Sequence, residues 1–291
     1  MIQRSISVAL IFTLLLFGCS NTTTELEDSS SSQDETNRII SLDPSSTEIL
    51  YAIGAGDRVI AVDSYSDYPT EAPSDSNLDA FNPDLEVILN LDPDLVILGF
   101  SESGLAEDLA DQEIEYLELP TANSLEQMYS HISELGLATE QIDEAAALVA
   151  EIRKNVSDAK EELNVEGLKV YHEVGSDNSG FYTNHSGTFT GDIYTELGFE
   201  NIVLEEEVVN GLVDAEVILD KNPDLIVTNS DDFAASPDEI SNRPGWEKIS
   251  AVENTRLISV DTTTSSRSGP RIIEFIDSIV KANESVSSNT N

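Results

Sequence analysis

Basic residues are scarce in this sequence. Its 291 residues include 14 Lys and Arg against 56 Asp and Glu, which gives a formal net charge of -42. A nucleic-acid partner needs a positively charged surface that neutralises phosphates, so the composition excludes this class of partner. Net charge governs solvation rather than fold, and we therefore attribute the acidic excess to solubility.

Cysteine and histidine are also rare. Cys19 is the only cysteine, which excludes an internal disulfide. The three histidines are assigned to a helix (His131), a strand (His172) and a loop (His185), and their spacing matches no metal motif such as H-E-x-x-H. We therefore predict neither a protein-held metal site nor an intrinsic cofactor.

No hydrophobic run is long enough to span a membrane comfortably. The run at residues 6–17 has about a dozen residues, whereas a bilayer span needs roughly 20. It follows a short basic start, so residues 1–18 are predicted to be a signal peptide. The run ends in L-F-G-C at residues 16–19, which resembles a bacterial lipobox and predicts lipidation at Cys19. Residues 19–37 are rich in Ser, Thr, Asp and Glu, which predicts a disordered tether.

Short apolar strands alternate with helical stretches through the rest of the chain, which predicts an α/β fold with mostly parallel sheets. Residues 38–138 are assigned to an N-terminal lobe and residues 167–282 to a C-terminal lobe, followed by a polar tail at 283–291. The predicted strands are residues 38–42, 59–62, 95–100, 116–119, 169–174, 202–204, 225–228 and 257–260. Two helix starts are also predicted: a capping box of Ser45 and Glu48, and Pro270 in the first turn of a last helix at residues 270–282.

A continuous apolar stripe separates the two lobes. Between residues 139 and 163, apolar residues recur in steps of three and four, which is typical of one face of a single helix. The stripe consists of Ile142, Ala145, Val149, Ile152, Val156, Ala159 and Leu163. The regular flanking charge pairs of a coiled coil are lacking, so we favour a rigid connecting helix at residues 139–166.

One segment of the chain occurs twice. Residues 84–98 return without a gap at residues 214–228, and eight of the fifteen positions are identical. In each copy a short helix starts at an acidic residue, stops at a proline and leads into an apolar strand. Solenoid repeats have periods of only roughly 20 to 50 residues, so this duplication indicates two similar lobes, with Glu86 and Glu216 at equivalent places.

Five motifs occur in order along the chain: R-I-I-S-L at 38–42 with Thr47-Glu48, S-Y-S-D-Y-P at 64–69, D-P-D-L-V at 92–96, R-P-G-W at 243–246 and R-S-G-P-R at 267–271. Together they resemble the vitamin B12 and ferric-siderophore class of bacterial ABC-importer solute-binding proteins, over about residues 38–282. The resemblance implies the helical-backbone periplasmic-binding fold, in which one long helix joins two α/β lobes. It also implies a monomer that works with permease and ATPase subunits. In that class Glu86 and Glu216 would dock to the permease, although both also suit a helix N-terminus.

The ligand of such a protein lies between the lobes, on loops at the ends of parallel strands. We expect five aromatic residues there: Tyr65, Phe81 and Phe100 from the first lobe, and Tyr182 and Phe189 from the second. Tyr65 lies in the segment that resembles the corrinoid binders, in which an aromatic ring packs on the macrocycle. Packing in the core or at its rim is the competing interpretation for each ring.

The resemblance places Arg267 in the cleft, where it can pair with an anionic or amide group of the ligand or with a nearby carboxylate of the protein. Arg271 is expected to lie on the last helix and to stabilise the fold rather than bind the ligand. Corrinoid binders often have an aspartate four residues before the cleft arginine, and Thr263 occupies that position relative to Arg267 here. A triply anionic ferric catecholate would need several cations in the cleft, and Arg267 is the only one predicted there. We therefore favour a chelate of low charge, a corrinoid such as cobalamin, with a ferric hydroxamate or haem as alternatives. His185 is a candidate axial ligand to the metal of a haem or corrinoid.

Two other classes compete with a binding protein. The G-F-S-E-S sequence at residues 99–103 follows a predicted strand, as a hydrolase nucleophile at Ser101 would, but it lacks the second glycine of that motif, and no histidine is placed as a base. An adhesion or structural lipoprotein would lack aromatic residues between its lobes. We expect an extracytoplasmic, lipid-anchored binding protein and not an enzyme.

Overall fold

The computed structural model describes residues 38–75, 77–99 and 104–288, with side chains up to residue 283. The predicted signal peptide, Cys19 and the tether lie outside the described residues, as do Phe100 and Ser101. Within these ranges, no helix combines the length and the apolar character that crossing a membrane requires.

The N-terminal lobe is built on a four-stranded parallel sheet with the strand order β2-β1-β3-β4. Its strands are β1 (Ile39–Leu42), β2 (Val59–Val62), β3 (Leu95–Leu98) and β4 (Glu115–Glu118). Its helices are α1 (Pro44–Ala52), α2 (Leu85–Asn90), α3 (Leu105–Asp111) and α4 (Leu125–Ala138), with a 3-10 helix at Gly56–Arg58. The central strands β1 and β3 are buried along their whole length, as expected for a parallel sheet with helices on both faces.

The C-terminal lobe has a six-stranded sheet with the order β10-β9-β5-β6-β8, and β7 also pairs with β5. Its strands are β5 (Lys169–Asp177), β6 (Gly180–Thr183), β7 (Glu200–Asn201), β8 (Leu212–Val213), β9 (Leu225–Asn229) and β10 (Leu257–Val260). Its helices are α6 (Phe189–Leu197), α7 (Ala215–Lys221), α8 (Pro237–Ser241), α9 (Ser250–Glu253), α10 (Thr262–Ser266) and α11 (Ile272–Ser288), with 3-10 helices at Glu205–Glu207 and Trp246–Lys248. Strand β6 runs antiparallel to β5 and β8, and the other pairs are parallel.

Two predicted elements of the C-terminal lobe differ from the structure. Residues 202–204 are not a strand, because β7 ends before them; Ile202 and Val203 are apolar because they are buried in the core of the lobe. The last helix begins at Ile272 and continues to Ser288, so it includes part of the predicted polar tail.

The predicted capping box of Ser45 and Glu48 is wrong. Helix α1 begins two residues earlier than that motif requires, with Pro44 as its first residue. The Asp43 side chain caps the helix, because its Oδ2 accepts a hydrogen bond from Ser46 N at 2.7 Å. The Glu48 carboxylate is therefore available for a different contact, described below.

A single helix, α5 (Ile142–Leu163), connects the two lobes. All strands of the first sheet precede it and all strands of the second sheet follow it. Its 22 residues make it about 33 Å long. The stripe residues Ala145, Ile152, Val156, Ala159 and Leu163 are buried, Val149 is partly buried, and Ile142 is exposed at the start of the helix. The predicted periodicity therefore holds along most of the helix.

One apolar core runs through both lobes. It includes Ile39 of β1, Ile132 of α4, Ile152 of α5, Tyr194 of α6 and Phe275 of α11, all buried. Each lobe has a further apolar cluster of its own. Separating the lobes would expose this shared core to water, at a cost of about 25 cal/mol for each Å² of apolar surface. The shared core therefore holds the lobes at a nearly fixed distance.

Candidate functional site

The repeated segment builds the same corner in both lobes. The aspartate that follows the proline accepts a hydrogen bond from the backbone at the start of the first strand of its lobe. Arg38 N donates to Asp94 Oδ2 at 2.6 Å, and Lys169 N donates to Asp224 Oδ2 at 3.0 Å. The side chains of Arg38 and Lys169 also donate to carbonyl oxygens at the end of α2 and of α7, at 2.8 and 3.1 Å. The duplicated sequence therefore encodes a duplicated structural unit.

Glu86 and Glu216 occupy equivalent positions on these corners. Each is the second residue of its helix, α2 or α7, and each is exposed. The isoleucine two residues later, Ile88 or Ile218, is fully buried and fixes the rotation of the helix. Within the described part of the chain, neither glutamate forms an ion pair. Both carboxylates are thus accessible on the surface, and their docking role stays a prediction.

The loops after β2 place two aromatic rings together on the N-terminal lobe. Tyr65 is 48% exposed and Phe81 is 60% exposed, and their rings meet edge to face with centroids 5.2 Å apart. Asp63, which is fully buried, shapes the first loop, because its Oδ1 accepts hydrogen bonds from Tyr65 N at 2.8 Å and Ser66 N at 2.7 Å. Burial raises the pKa of Asp63, against the opposing effect of these hydrogen bonds.

A second aromatic pair lies on the C-terminal lobe. The ring of Tyr182, in β6, contacts the ring of Phe233 with centroids 5.3 Å apart. Phe233 follows β9 and is 49% exposed. No periodic pattern marks Phe233, because it stands alone in a polar loop. Phe189, in contrast, is buried as the first residue of α6, which Thr188 caps, and it belongs to the shared core. The structure therefore supports core packing for Phe189, and we leave it out of the site.

Arg267 and Arg271 of the C-terminal lobe both bind Glu48 of α1, which is 3% exposed. Arg271 donates from Nε to Oε2 at 3.0 Å and from Nη2 to Oε1 at 2.5 Å, and Arg267 donates from Nη1 to Oε1 at 3.1 Å. The hydrogen-bonded carboxylate raises the pKa of Arg271. Arg267 also pairs with Asp67 at 2.7 Å. The Arg267 guanidinium therefore has carboxylate partners within the protein, as the competing interpretation of this residue proposed.

The same contacts bring the carboxyl ends of the two sheets together. Arg267 follows α10 and β10, and its Nη2 donates to the carbonyl oxygen of Tyr65, in the loop after β2, at 3.1 Å. Asp231, which follows β9, accepts a hydrogen bond from Thr262 Oγ1 at the start of α10 at 2.8 Å. The loops after β2, β9 and β10 thus form one region, which we call the lobe boundary. Open α/β folds bind ligands at such strand ends.

Arg243 of the R-P-G-W motif has a structural role. It donates to the two carboxylate oxygens of Glu173, which is fully buried, at 2.5 and 2.6 Å. Its guanidinium also lies 4.7 Å from the centroid of the Trp246 ring and 4.8 Å from that of Phe181. These contacts hold the 3-10 segment at Trp246 against β5 and β6.

The histidines form no metal centre in the described part of the chain. His172 is fully buried in β5. Asn229 Oδ1 lies 3.0 Å from its Nε2, and Tyr194 Oη lies 3.0 Å from its Nδ1. Burial lowers the pKa of His172 to about 4. His185 lies in the loop before α6, where its Nδ1 accepts a hydrogen bond from a backbone N–H two residues later at 3.1 Å. Among the described residues, no three His, Cys, Asp or Glu side chains are grouped to hold a metal ion.

Two α/β lobes joined by one long helix are the architecture of a solute-binding protein. The chain belongs to the periplasmic binding protein family, whose model matches residues 39–264. The "Uncharacterized ABC transporter substrate-binding lipoprotein YvrC" of Bacillus subtilis is 31% identical over 268 residues, which cover 88% of this chain and 84% of the relative. A vitamin B12-binding protein of Pectobacterium carotovorum is 30% identical over 243 residues, which cover 81% of this chain and 84% of the relative.

A solved structure is similar as well. It comes from Staphylococcus epidermidis, is described as "a possible" iron-binding (periplasmic solute-binding) protein, and has 30% sequence identity and a TM-score of 0.70, over 84% of this chain and 98% of that chain. These findings confirm the family and the fold class that the sequence motifs predicted. The chain is an extracytoplasmic solute-binding protein of an ABC transporter, which works with permease and ATPase components, and it is not an enzyme. The hydrolase interpretation of Ser101 is set aside for the same reason.

Proposed function

We propose that this protein captures a bulky metal chelate between its lobes, preferably a corrinoid such as cobalamin, and delivers it to the membrane permease. The observation that carries the proposal is the exposed contact of Tyr65 with Phe81, 5.2 Å between centroids, on a loop that reaches the lobe boundary. Aromatic rings offer large, rigid apolar surfaces that suit the faces of a macrocycle. Tyr182 adds a ring from the other lobe, and Phe100 stays a predicted contact. The likeness to a vitamin B12-binding protein favours the same ligand.

Charge at the lobe boundary favours a ligand of low net charge. Arg267 and Arg271 are cationic there, but both bind carboxylates of the protein. Detaching them to bind an anion would leave Glu48 buried without its partners, which is costly. A corrinoid therefore suits the cleft better than a ferric catecholate does. A ferric hydroxamate is the second candidate, in keeping with the likeness to an iron-binding protein, and haem is the third.

Delivery would use the two exposed glutamates. In this proposal Glu86 and Glu216 bind basic residues of the permease, one from each lobe, and set the orientation in which the loaded protein docks. Lipid on Cys19 would hold a monomer at the membrane, with residues 19–37 as the tether. The name of YvrC as a lipoprotein supports the anchor.

Titration of the purified protein with cobalamin, a ferric hydroxamate and haem tests the proposed ligand. The only tryptophan, Trp246, is buried, so calorimetry or equilibrium dialysis is a better measurement than tryptophan fluorescence. We expect cobalamin to bind, and Tyr65→Ala to raise its Kd about ten-fold through the loss of one aromatic contact.

Leu137→Ala is a matched control for the loss of an exposed apolar side chain. Leu137 is exposed and lies two residues before Thr139. The carbonyl oxygen of Thr139 accepts a hydrogen bond from Arg58, which directly precedes β2. Leu137 therefore lies near the end of the sheet opposite to the lobe boundary. We expect its Kd to match that of the parent protein. Binding of the ferric hydroxamate or haem alone would replace the corrinoid as ligand, and binding of none of the three would refute the proposal.

A further inference from the structure

We propose that Phe233 is a ligand-binding residue, and that Phe233, Tyr182 and Gly175 form an aromatic platform that stacks against a flat face of the bound chelate. This inference rests on the proposed function and adds to it a residue that no sequence motif marks. The platform offers a rigid apolar surface from the C-terminal lobe, so it selects ligands with a planar, conjugated face.

Gly175 of β5 makes room for the Phe233 ring. A Cβ atom at this position would lie 2.1 Å from Phe233 Cδ1 and 2.3 Å from Cε1, so any larger residue would displace the ring. Gly175 is paired with Tyr182 in the β5–β6 ladder, and Phe233 also contacts the Tyr182 ring. The Phe233 ring therefore rests on this strand pair, while 49% of the residue stays exposed.

Hydrogen bonds hold the loop that carries Phe233 in place. Asp231 Oδ1 accepts hydrogen bonds from Phe233 N at 2.9 Å and Ala234 N at 3.1 Å. Just beyond them, Thr228 Oγ1 donates to the carbonyl oxygen of Ala235 at 2.8 Å. Because the backbone and the ring are already fixed, covering the ring with a ligand loses little conformational entropy. A rigid, half-exposed ring is thus prepared for binding.

The platform lies at the same lobe boundary as the first aromatic pair. Asp231 Oδ2 accepts a hydrogen bond from Thr262 Oγ1, and Thr262 begins α10, the helix that Arg267 ends. Arg267 in turn donates to the carbonyl oxygen of Tyr65. A bulky chelate at this boundary therefore meets Tyr65 and Phe81 from one lobe and the aromatic platform from the other. No cation belongs to the platform, which agrees with a ligand of low charge.

A thermodynamic cycle tests the inference with two single variants and their combination. The ligand is cobalamin or haem, whichever the parent protein binds, because both have a planar, conjugated face; a parent protein that binds only the ferric hydroxamate, which lacks such a face, overturns the inference. We expect Phe233→Ala to raise the Kd about ten-fold. Gly175→Ala should raise it by a similar factor although every ring is retained, because the added methyl group displaces Phe233. In the Phe233→Ala background, Gly175→Ala should have no further effect.

Phe233→Tyr is the conservative control, with a Kd within about two-fold of the parent value because the ring is kept. Thermal unfolding checks that each variant folds, and if Gly175→Ala does not, Phe233→Ala and Phe233→Tyr decide the question. A Phe233→Ala protein that binds as tightly as the parent overturns the inference and leaves the proposed function standing. A parent protein that binds none of the three chelates overturns both.

Discussion

Replacing Glu48 with glutamine tests the charged contact between the lobes. The Glu48 carboxylate is 3% exposed and accepts hydrogen bonds from Arg267 at 3.1 Å and from Arg271 at 3.0 and 2.5 Å. Glutamine keeps the shape of the side chain but removes its charge. Two guanidinium groups whose side chains are only 15% exposed then lose their shared anion. Removing one partner of a buried ion pair costs about 3–5 kcal/mol.

Urea denaturation is the suitable assay, because urea, unlike guanidinium chloride, adds no salt that screens ion pairs. We expect Glu48→Gln to lower the free energy of unfolding by about 3 kcal/mol, at the lower end of that range because Asp67 still pairs with Arg267. The melting temperature should fall by about 6 °C, because the unfolding entropy of a folded body of this size is about 0.5 kcal/mol/K.

Glu126→Gln is the matched control for the same chemical change. Glu126 pairs with Arg153 at 2.9 Å, but their side chains are 74% and 50% exposed. The control variant should therefore cost less than about 1 kcal/mol. If Glu48→Gln proves as stable as Glu126→Gln, the contacts of Glu48 with Arg267 and Arg271 do not hold the lobes together, and the reasoning from the burial of Glu48 is wrong.

Three further predictions concern other parts of the chain. The double variant Glu86→Ala and Glu216→Ala should keep its affinity for ligand in solution and lose uptake in cells; a collapse of the solution affinity would contradict the docking role. His172 has a pKa of about 4 in the folded protein and near 6.5 when unfolded, so the unfolded state binds more protons between these values. The free energy of unfolding should fall by about 3 kcal/mol as the pH drops through this window. Urea denaturation of His172→Gln should show a flatter pH profile, and a profile parallel to that of the parent would contradict the assignment. Arg267→Ala should lower the free energy of unfolding by more than it weakens the binding of cobalamin. A ten-fold higher Kd at unchanged stability would instead make Arg267 a ligand contact.

Patterns that are local in sequence predicted much of the fold. The three-and-four spacing of α5 and the helix, turn and strand of each repeat involve residues close together in the chain, so the sequence alone locates them. Glu48 shows where local reasoning fails. Its spacing from Ser45 satisfies a capping rule, but Asp43 and Pro44 provide a better start for α1. The partners of Glu48 lie 219 and 223 residues away, beyond the reach of any local pattern.

Only part of the aromatic site was predicted, because local sequence patterns do not show which way a ring points in the fold. Tyr65 and Phe81 follow a strand in the N-terminal lobe, where the family resemblance directs attention. Phe189 satisfied the same search, but Thr188 starts a helix there and turns the ring into the core. Phe233 was missed because the repeat does not point to it. Continuing the alignment of the two copies by two residues places Phe100 opposite Ser230, and Phe233 stands three residues further along, in a polar loop.

The packing between the lobes determines how the cleft can select its ligand. Opening the lobes by hinge bending would expose the core that α1, α4, α5, α6 and α11 share, and it would separate Glu48 from both of its arginines. We therefore expect only a small closing motion, because a helix packed along its length resists bending. A cleft that barely closes discriminates through the surface that it presents before binding. The specificity of this protein should then depend on rigid aromatic side chains such as Tyr65 and Phe233, and changes there should alter which chelate binds more than changes in α5 do.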